Sequence, residues 1–280
     1  MDLPPDPLVT PAWLAERLGA PDIRVLDATW FMPGDARDAK AIFAERRIPG
    51  AIFFDIDEIA DTDNPLPHML PSPEKFASRM KKRGVGDGAR VIVYDNVGLF
   101  SAARVWWTFR VMGHEDVAVL DGGFPAWERA GYDIETGPPQ QRMERHFTAR
   151  FRADLVRDLS DMRRAVADGH APILDARPTP RFRGETAEPR PGLRSGHMPG
   201  ALNVPTTLLV NDDGTLRSSE ELAAVLEGSR SGAICTCGSG IAASTVALAL
   251  ARLGQWDASV YDGSWTEWGA QPDTPVATGA

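Results

Sequence analysis

The sequence predicts an α/β protein made of two related domains, each a mainly parallel sheet flanked by helices on both faces. Three observations carry this. Short Val/Ile/Leu/Ala runs of strand length alternate with amphipathic stretches of helix length, the pattern of strand–helix–strand units in a parallel sheet. The chain also repeats itself in order. Arg24-Val-Leu-Asp-Ala28 returns as Pro172-Ile-Leu-Asp-Ala176, and Ile48-Pro-Gly-Ala51 as Met198-Pro-Gly-Ala201. Arg90-Val-Ile-Val-Tyr94 returns as Gly232-Ala-Ile-Cys-Thr236, and Leu120-Asp-Gly-Gly-Phe-Pro-Ala-Trp127 as Tyr261-Asp-Gly-Ser-Trp-Thr-Glu-Trp268. Landmarks kept in register over this distance mark a duplication, with a period too long for a solenoid. Finally, 280 residues suffice for two domains of ordinary size.

In chain order, the first half is expected to place strands near 23–28, 50–54, 90–94 and 117–121. Its helices are expected near 37–46, 73–83, 100–112 and 124–130. The second half repeats this with strands near 172–175, 201–204, 232–236 and 258–261, and helices near 160–167, 218–227, 242–253 and 264–269. The expected division is a domain over 1–136, a linker over 137–157 and a domain over 158–280. The linker reading rests on Gly137-Pro-Pro-Gln-Gln-Arg-Met-Glu-Arg-His146, which is polar and proline-led. Phe147 and Phe151 give it something to pack with. The tryptophans Trp106, Trp107, Trp127 and Trp268 fall on helix faces and read as core.

The composition, 43% hydrophobic and 25% charged, is that of an ordinary folded domain. A net charge of −9 leaves no basic surplus for phosphates, so neither nucleic acid nor an anionic membrane is the expected partner. An anionic substrate would need a local positive pocket. Cys235 and Cys237 are the only cysteines, too few and too close for a disulfide framework, which fits a reducing compartment. The N-terminal Met-Asp-Leu-Pro-Pro-Asp-Pro-Leu-Val-Thr10 has no basic region followed by an apolar run. No stretch approaches the ~18 apolar residues of a membrane span, so a cytoplasmic location is expected.

The chemistry concentrates in Ile234-Cys-Thr-Cys237-Gly-Ser-Gly-Ile-Ala-Ala-Ser244. A strand, a small-residue loop and a helix in this order put Cys237 at a helix N-terminus. There the amide N–H groups and the helix dipole favour an anion and lower a thiol pKa. Gly238 and Gly240 let the amides curl around the sulfur. Cys235 lies inside the strand and reads as a buried small residue. A Cys-x-Cys metal site would need further ligands nearby, and the sequence offers none; no metal or organic cofactor is expected. In the first half Asp95 takes the place of Cys237, so that half reads as catalytically silent. Between 177 and 194, Arg177, Arg181, Arg183, Arg190 and Arg194 face only Glu185 and Glu188, a local positive field suited to a carboxylate. Asp175 and Glu188 read as groups that orient these arginines. His197, whose counterpart in the repeat is Arg47, reads as structural.

The Cys-Gly-Ser-Gly loop, Asp-Gly-Gly-Phe-Pro-Ala-Trp, Gly-His-Met-Pro-Gly-Ala and a silent first half together resemble the tandem rhodanese-like sulfurtransferases, from about Val25 to Trp268. Gly238-Ser239-Gly240 after the cysteine resembles the branch that takes sulfur from 3-mercaptopyruvate; thiosulfate-preferring members carry basic residues there. The resemblance implies sulfur transfer through a Cys237 persulfide to a thiol acceptor (thioredoxin or a small thiol) or to cyanide, with release of pyruvate. It implies that Arg181 and Arg190 clamp the substrate carboxylate and carbonyl, and that Gly238, Gly240, Ile241 and Ala242 line the substrate. It further implies a Ser239–His68–Asp57 proton relay, which would bring groups of the first half to the cysteine loop. At Ala242 the chain departs from the family's usual threonine, so a hydroxyl that could bond the sulfur is missing. The alternatives are thiosulfate:cyanide sulfur transfer and a non-enzymatic persulfide carrier. A cysteine-based phosphatase is rejected, because no basic residue lies between Cys237 and Ser244.

Overall fold

The computed structural model describes residues 6–140, 142–229 and 231–279. Met1–Pro5, part of the N-terminal segment discussed above, and Gln141, inside the expected linker, lie outside the described residues, as do Arg230 and Ala280. The chain forms two compact units. Unit 1 holds residues through Ala60, Pro71–Phe151 and Asn211–Leu216; unit 2 holds Asp61–Leu70, Arg152–Val210 and residues from Arg217 on. His68, in the first half of the sequence, therefore falls in unit 2.

Unit 1 is a five-stranded sheet of β1 (Leu8–Val9), β2 (Ile23–Asp27), β3 (Ile52–Phe53), β4 (Arg90–Tyr94) and β5 (Val117–Leu120) in the order β1-β5-β4-β2-β3, every pair parallel. Unit 2 uses β6 (Val156–Arg157), β7 (Ile173–Asp175), β8 (Leu202–Asn203), β9 (Ile234–Thr236) and β10 (Ser259–Tyr261) in the order β6-β10-β9-β7-β8, again all parallel. The two orders are the same, so the repeat seen in the sequence is a repeat of topology. β1 and β6, two-residue edge strands, were not expected, and β6 closes the segment read as a linker. Phe147 in that segment is buried against Phe76 and Phe109, whereas Phe151 is exposed.

Strand residues alternate between two buried faces, as a period of two requires of a sheet covered on both sides. In unit 1, Ile23, Val25, Ile92, Tyr94 and Leu120 pack with Leu14, Phe43, Phe124 and Trp127. The alternate residues Leu26, Val91, Val93 and Val119 are equally buried, and the helices Pro73–Lys82 and Ala102–Val111 contribute Phe76 and Phe109 to the interior. In unit 2, Ile173, Ile234 and Tyr261 pack with Met162, Met198, Trp265 and Trp268. The helix Ile241–Arg252 is apolar nearly all round and buried from Ala243 to Ala251, which makes it a central element. Helix starts follow their sequence signals: Asp158 and Ser218 form capping boxes with Asp161 and Glu221, and Ser72 caps the helix after it.

Candidate active site

The register of the sheets places Cys237. Asp27 pairs with Tyr94 in unit 1 and Asp175 with Thr236 in unit 2, so the next residues, Asp95 and Cys237, are structural equivalents. Two further bonds repeat around them. Phe124 N–H donates to Asp95 C=O and Trp265 N–H to Cys237 C=O, each at 2.9 Å. Phe54 N–H donates to Asp27 C=O at 2.7 Å and Val204 N–H to Asp175 C=O at 2.8 Å.

In unit 1 the position is filled by a carboxylate. Asp95 Oδ1 accepts from the amides of Val97 and Gly98, and Oδ2 from those of Phe100 and Ala102, at 2.8 to 3.0 Å. Four backbone donors on one buried carboxylate are an anion cradle made by the loop and the first turn of the following helix.

In unit 2 Cys237 is 3% exposed and has no disulfide partner. Its amide donates to Ser264 Oγ at 3.3 Å, and Ser264 in turn donates to Tyr261 C=O. The carbonyls of Cys237 and Gly238 accept from the amides of Trp265 and Thr266, and Thr266 Oγ1 also donates to Gly238 C=O. In a trans peptide the N–H points opposite to the C=O. The N–H groups of Gly238 and Ser239 are thus turned away from the helix Ser264–Trp268. Gly240 takes a left-handed conformation at φ +83° and caps the helix Ile241–Arg252 with no side chain, so the first-turn amides receive no side-chain cap. Gly238 and Ala242 are half-buried while Ser239, Gly240 and Ile241 are buried, so the loop is most open at 238 and 242. Burial pushes the Cys235 thiol far up, with the neighbouring Cys237 adding to it, so Cys235 stays a neutral core residue as expected.

The five arginines of 177–194 divide by role. Arg177 is sealed in the interior, with its guanidinium on Asp175 and Glu188 and 4.1 Å from the Trp265 ring. Arg194 holds the carbonyls of Trp268, Gly269 and Thr274. Both are structural, a correction to the picture of one continuous positive field. Arg183 is exposed beside Glu185. Arg181 pairs with Glu188 and is partly open, and its Nη2 sits 3.2 Å from where a Cβ on Gly238 would be. The guanidinium therefore borders the residue after Cys237. Arg190 is half-buried. Glu188 orients Arg181 as expected, whereas Asp175 serves Arg177.

His68 is 8% exposed and holds φ +61°, a backbone conformation costly for a residue with a Cβ. Two residues on, Leu70 N–H donates to Asp262 Oδ2 at 2.8 Å. The run Tyr261-Asp-Gly-Ser-Trp-Thr266 thus anchors the His68 segment through Asp262 and the cysteine loop through Ser264, Trp265 and Thr266. Asp57, in unit 1, accepts from Trp30 Nε1 at 3.0 Å. Ser264 and Thr266 were missed by sequence reasoning. The available signal was Ser264 itself, at φ +50°, standing where the twin sequence has Gly123 at φ +55°. His197 stacks on Phe182 at 3.8 Å and bonds its carbonyl, the structural role expected of it. Trp106, Trp107, Trp127 and Trp268 are all buried. Among the described residues no group of three His, Cys, Asp or Glu is placed to hold a metal ion, and no helix is long and apolar enough to cross a membrane.

A duplicated strand–loop–helix site, with a thiol in one copy and a carboxylate in the other, defines a two-domain α/β thiol enzyme. A family model described as the rhodanese-like domain matches residues 10–130 and 158–271, and the chain belongs to that family. It is 45% identical over 269 residues to the 3-mercaptopyruvate sulfurtransferase of Escherichia coli strain K12, covering 94% of this chain and 95% of the relative. It is 39% identical over 295 residues to the thiosulfate/3-mercaptopyruvate sulfurtransferase 1, mitochondrial, of Arabidopsis thaliana, covering 97% and 78%. Among solved structures it resembles SseA from Escherichia coli, described as a 3-mercaptopyruvate sulfotransferase of rhodanese fold, with TM-score 0.84, 42% identity, and coverage of 92% of this chain and 98% of that one.

Proposed function

We propose that this protein transfers sulfur from 3-mercaptopyruvate to a thiol or cyanide through a persulfide on Cys237. The observation that carries the reading is the equivalence of Cys237 with Asp95, whose carboxylate takes four backbone amides. A position built to hold one negative charge in a buried loop is the position a thiolate and its persulfide anion require. With a carboxylate there, unit 1 is silent.

Arg181 and Arg190 bind the carboxylate and carbonyl of the donor and set its sulfur against Cys237. The thiolate attacks that sulfur. The sulfur–carbon bond breaks, its electron pair stays on carbon as the enolate of pyruvate, and the sulfur remains on Cys237 as a persulfide. The arginine on the carbonyl stabilises the enolate oxygen. Ser239 and His68, both in unit 2, deliver the proton to the enolate carbon, with Asp57 as the third member that the resemblance implies. Gly238, Gly240, Ile241 and Ala242 line the substrate. An acceptor thiolate, from thioredoxin or a small thiol, then attacks the outer sulfur and frees Cys237; no step requires a cofactor. The cytoplasm is the compartment in which such thiols stay reduced.

Mass spectrometry after treatment with 3-mercaptopyruvate tests this. One added sulfur on Cys237, with pyruvate released, is expected; Cys235→Ser should behave like the parent and Cys237→Ser should do neither. Full sulfur transfer by Cys237→Ser defeats the assignment. Thiosulfate is the weaker donor on this reading, because no basic residue follows Cys237 through Ser244 to hold a dianion. A higher kcat/KM for thiosulfate would reverse the order.

A further inference from the structure

At the opposite end of the unit 1 sheet from the Asp95 loop lies a second positive site that the sulfur chemistry does not use. A cavity of about 270 Å³ opens at the N-terminal half of β2, lined by Leu18–Pro21, Ile23–Val25, Pro49, Gly50, Arg142 and Arg145. Among the described residues, three arginines and no acidic residue line it, in a chain of net charge −9.

The arginines are set in place. Arg24 is 6% exposed; its Nε donates to Gly84 C=O at 3.0 Å, and its Nη1 donates to the carbonyls of Pro21 and Ile23. Those are neutral acceptors, so the charge is held in shape without being cancelled. Arg142 Nη2 donates to Gly50 C=O, again a carbonyl. The backbone carrying Arg142 and Arg145 is seated on two glycines. A Cβ on Gly84 would lie 2.8 Å from Met143 C=O, and one on Gly86 would lie 2.7 Å from Arg145 Cβ. Arg145 N–H also donates to Lys81 C=O. Burial and the charges of Arg145 and Arg142 lower the Arg24 pKa, with Asp22 a smaller opposing influence, and Glu135, which accepts from Gly50 N–H, is the carboxylate that Arg142 reaches.

We propose that this cavity is a binding site for a small oxyanion of two or more negative charges, of the phosphate or phosphate-monoester class. Guanidinium forks match the oxygens of such a group, and the three arginines outnumber the carboxylates their charges reach, Asp22 and Glu135. Leu18, Ala20, Ile23, Val25 and Pro49 form an apolar wall that the organic part of a monoester would cover.

The probes are inorganic phosphate and phenyl phosphate, titrated by calorimetry and by thermal denaturation against chloride at matched ionic strength. Saturable binding and a rise in melting temperature beyond the chloride control are expected. Arg142→Gln and Arg145→Gln, both at exposed positions, should each weaken binding about tenfold or more while leaving basal sulfur transfer unchanged. Tighter binding of phenyl phosphate supports the site with a monoester as its ligand; equal or tighter binding of phosphate supports it with the free anion. No binding beyond the chloride control overturns the proposal. So does binding that survives in both arginine variants, or binding lost in Arg181→Gln but kept in Arg145→Gln, which assigns the anion to the cysteine loop.

Discussion

Gly238→Ala tests the proposed substrate clamp apart from the fold. Gly238 does not occupy the left-handed region, so alanine can adopt its backbone conformation without strain. Such a replacement commonly stabilises by about 0.4–1 kcal/mol by narrowing the unfolded ensemble. The new methyl, however, would stand 3.2 Å from Arg181 Nη2, closer than ordinary contact, so the guanidinium must give by a few tenths of an ångström. Arg181 is also tied to Glu188, whose side chain is 2% exposed, so it cannot move without straining that pair. A charge-assisted hydrogen bond to substrate is worth about 1.5–3 kcal/mol, and losing much of one lowers kcat/KM about tenfold or more. The expected variant has a melting temperature equal to or above the parent's and a kcat/KM for 3-mercaptopyruvate reduced by that factor. Its Cys237 should be alkylated by iodoacetamide at the parental rate. Unchanged kcat/KM would refute the placement of Arg181 at the substrate, and equally slowed alkylation would move the damage to the thiol loop.

Arg190→Ala should raise KM for 3-mercaptopyruvate while the Cys237 alkylation rate stays unchanged; an unaltered KM removes it from the site. Ser264→Ala and Ser264→Gly both lose the hydroxyl on Tyr261 and Cys237, but only glycine relieves φ +50°. Urea denaturation should therefore find the alanine variant less stable than the glycine variant by about 1 kcal/mol. Burial raises the Asp27 carboxyl to about 6 from 3.8, against the bonds it accepts from Thr29. The folded state thus holds the proton more tightly than the unfolded chain, and stability falls as pH rises from about 4 to about 6. Relative to Asp27→Asn, the parent should be more stable at pH 4 than at pH 7, by up to about 3 kcal/mol. A gap that does not change with pH would sink this.

The central strands were legible because they are apolar on both faces, and the repeat located each one twice. The edge strands β1 and β6 were not, since two residues of Leu-Val or Val-Arg carry no period. Cys237 and its loop could be read from glycine spacing and from the aspartate in its twin. The division of labour among the arginines could not, because Arg177 and Arg181 differ only in what their neighbours bury. Asp262 appears in the sequence only as part of a repeated motif, and the fold alone brings Leu70 to it. The Arg24–Arg142–Arg145 cavity was hidden for the same reason: Arg24 lies far along the chain from the other two and meets them only in the fold.

Each unit keeps a short piece drawn from the other half of the sequence, and the same repeated aspartate holds it. Asp121 Oδ1 accepts from Leu216 N–H and Asp262 Oδ2 from Leu70 N–H, both at 2.8 Å. A gene trimmed to either half would therefore encode a fragment missing part of its own architecture. Unit 1 is consequently shielded from deletion by the share its half of the sequence has in building unit 2.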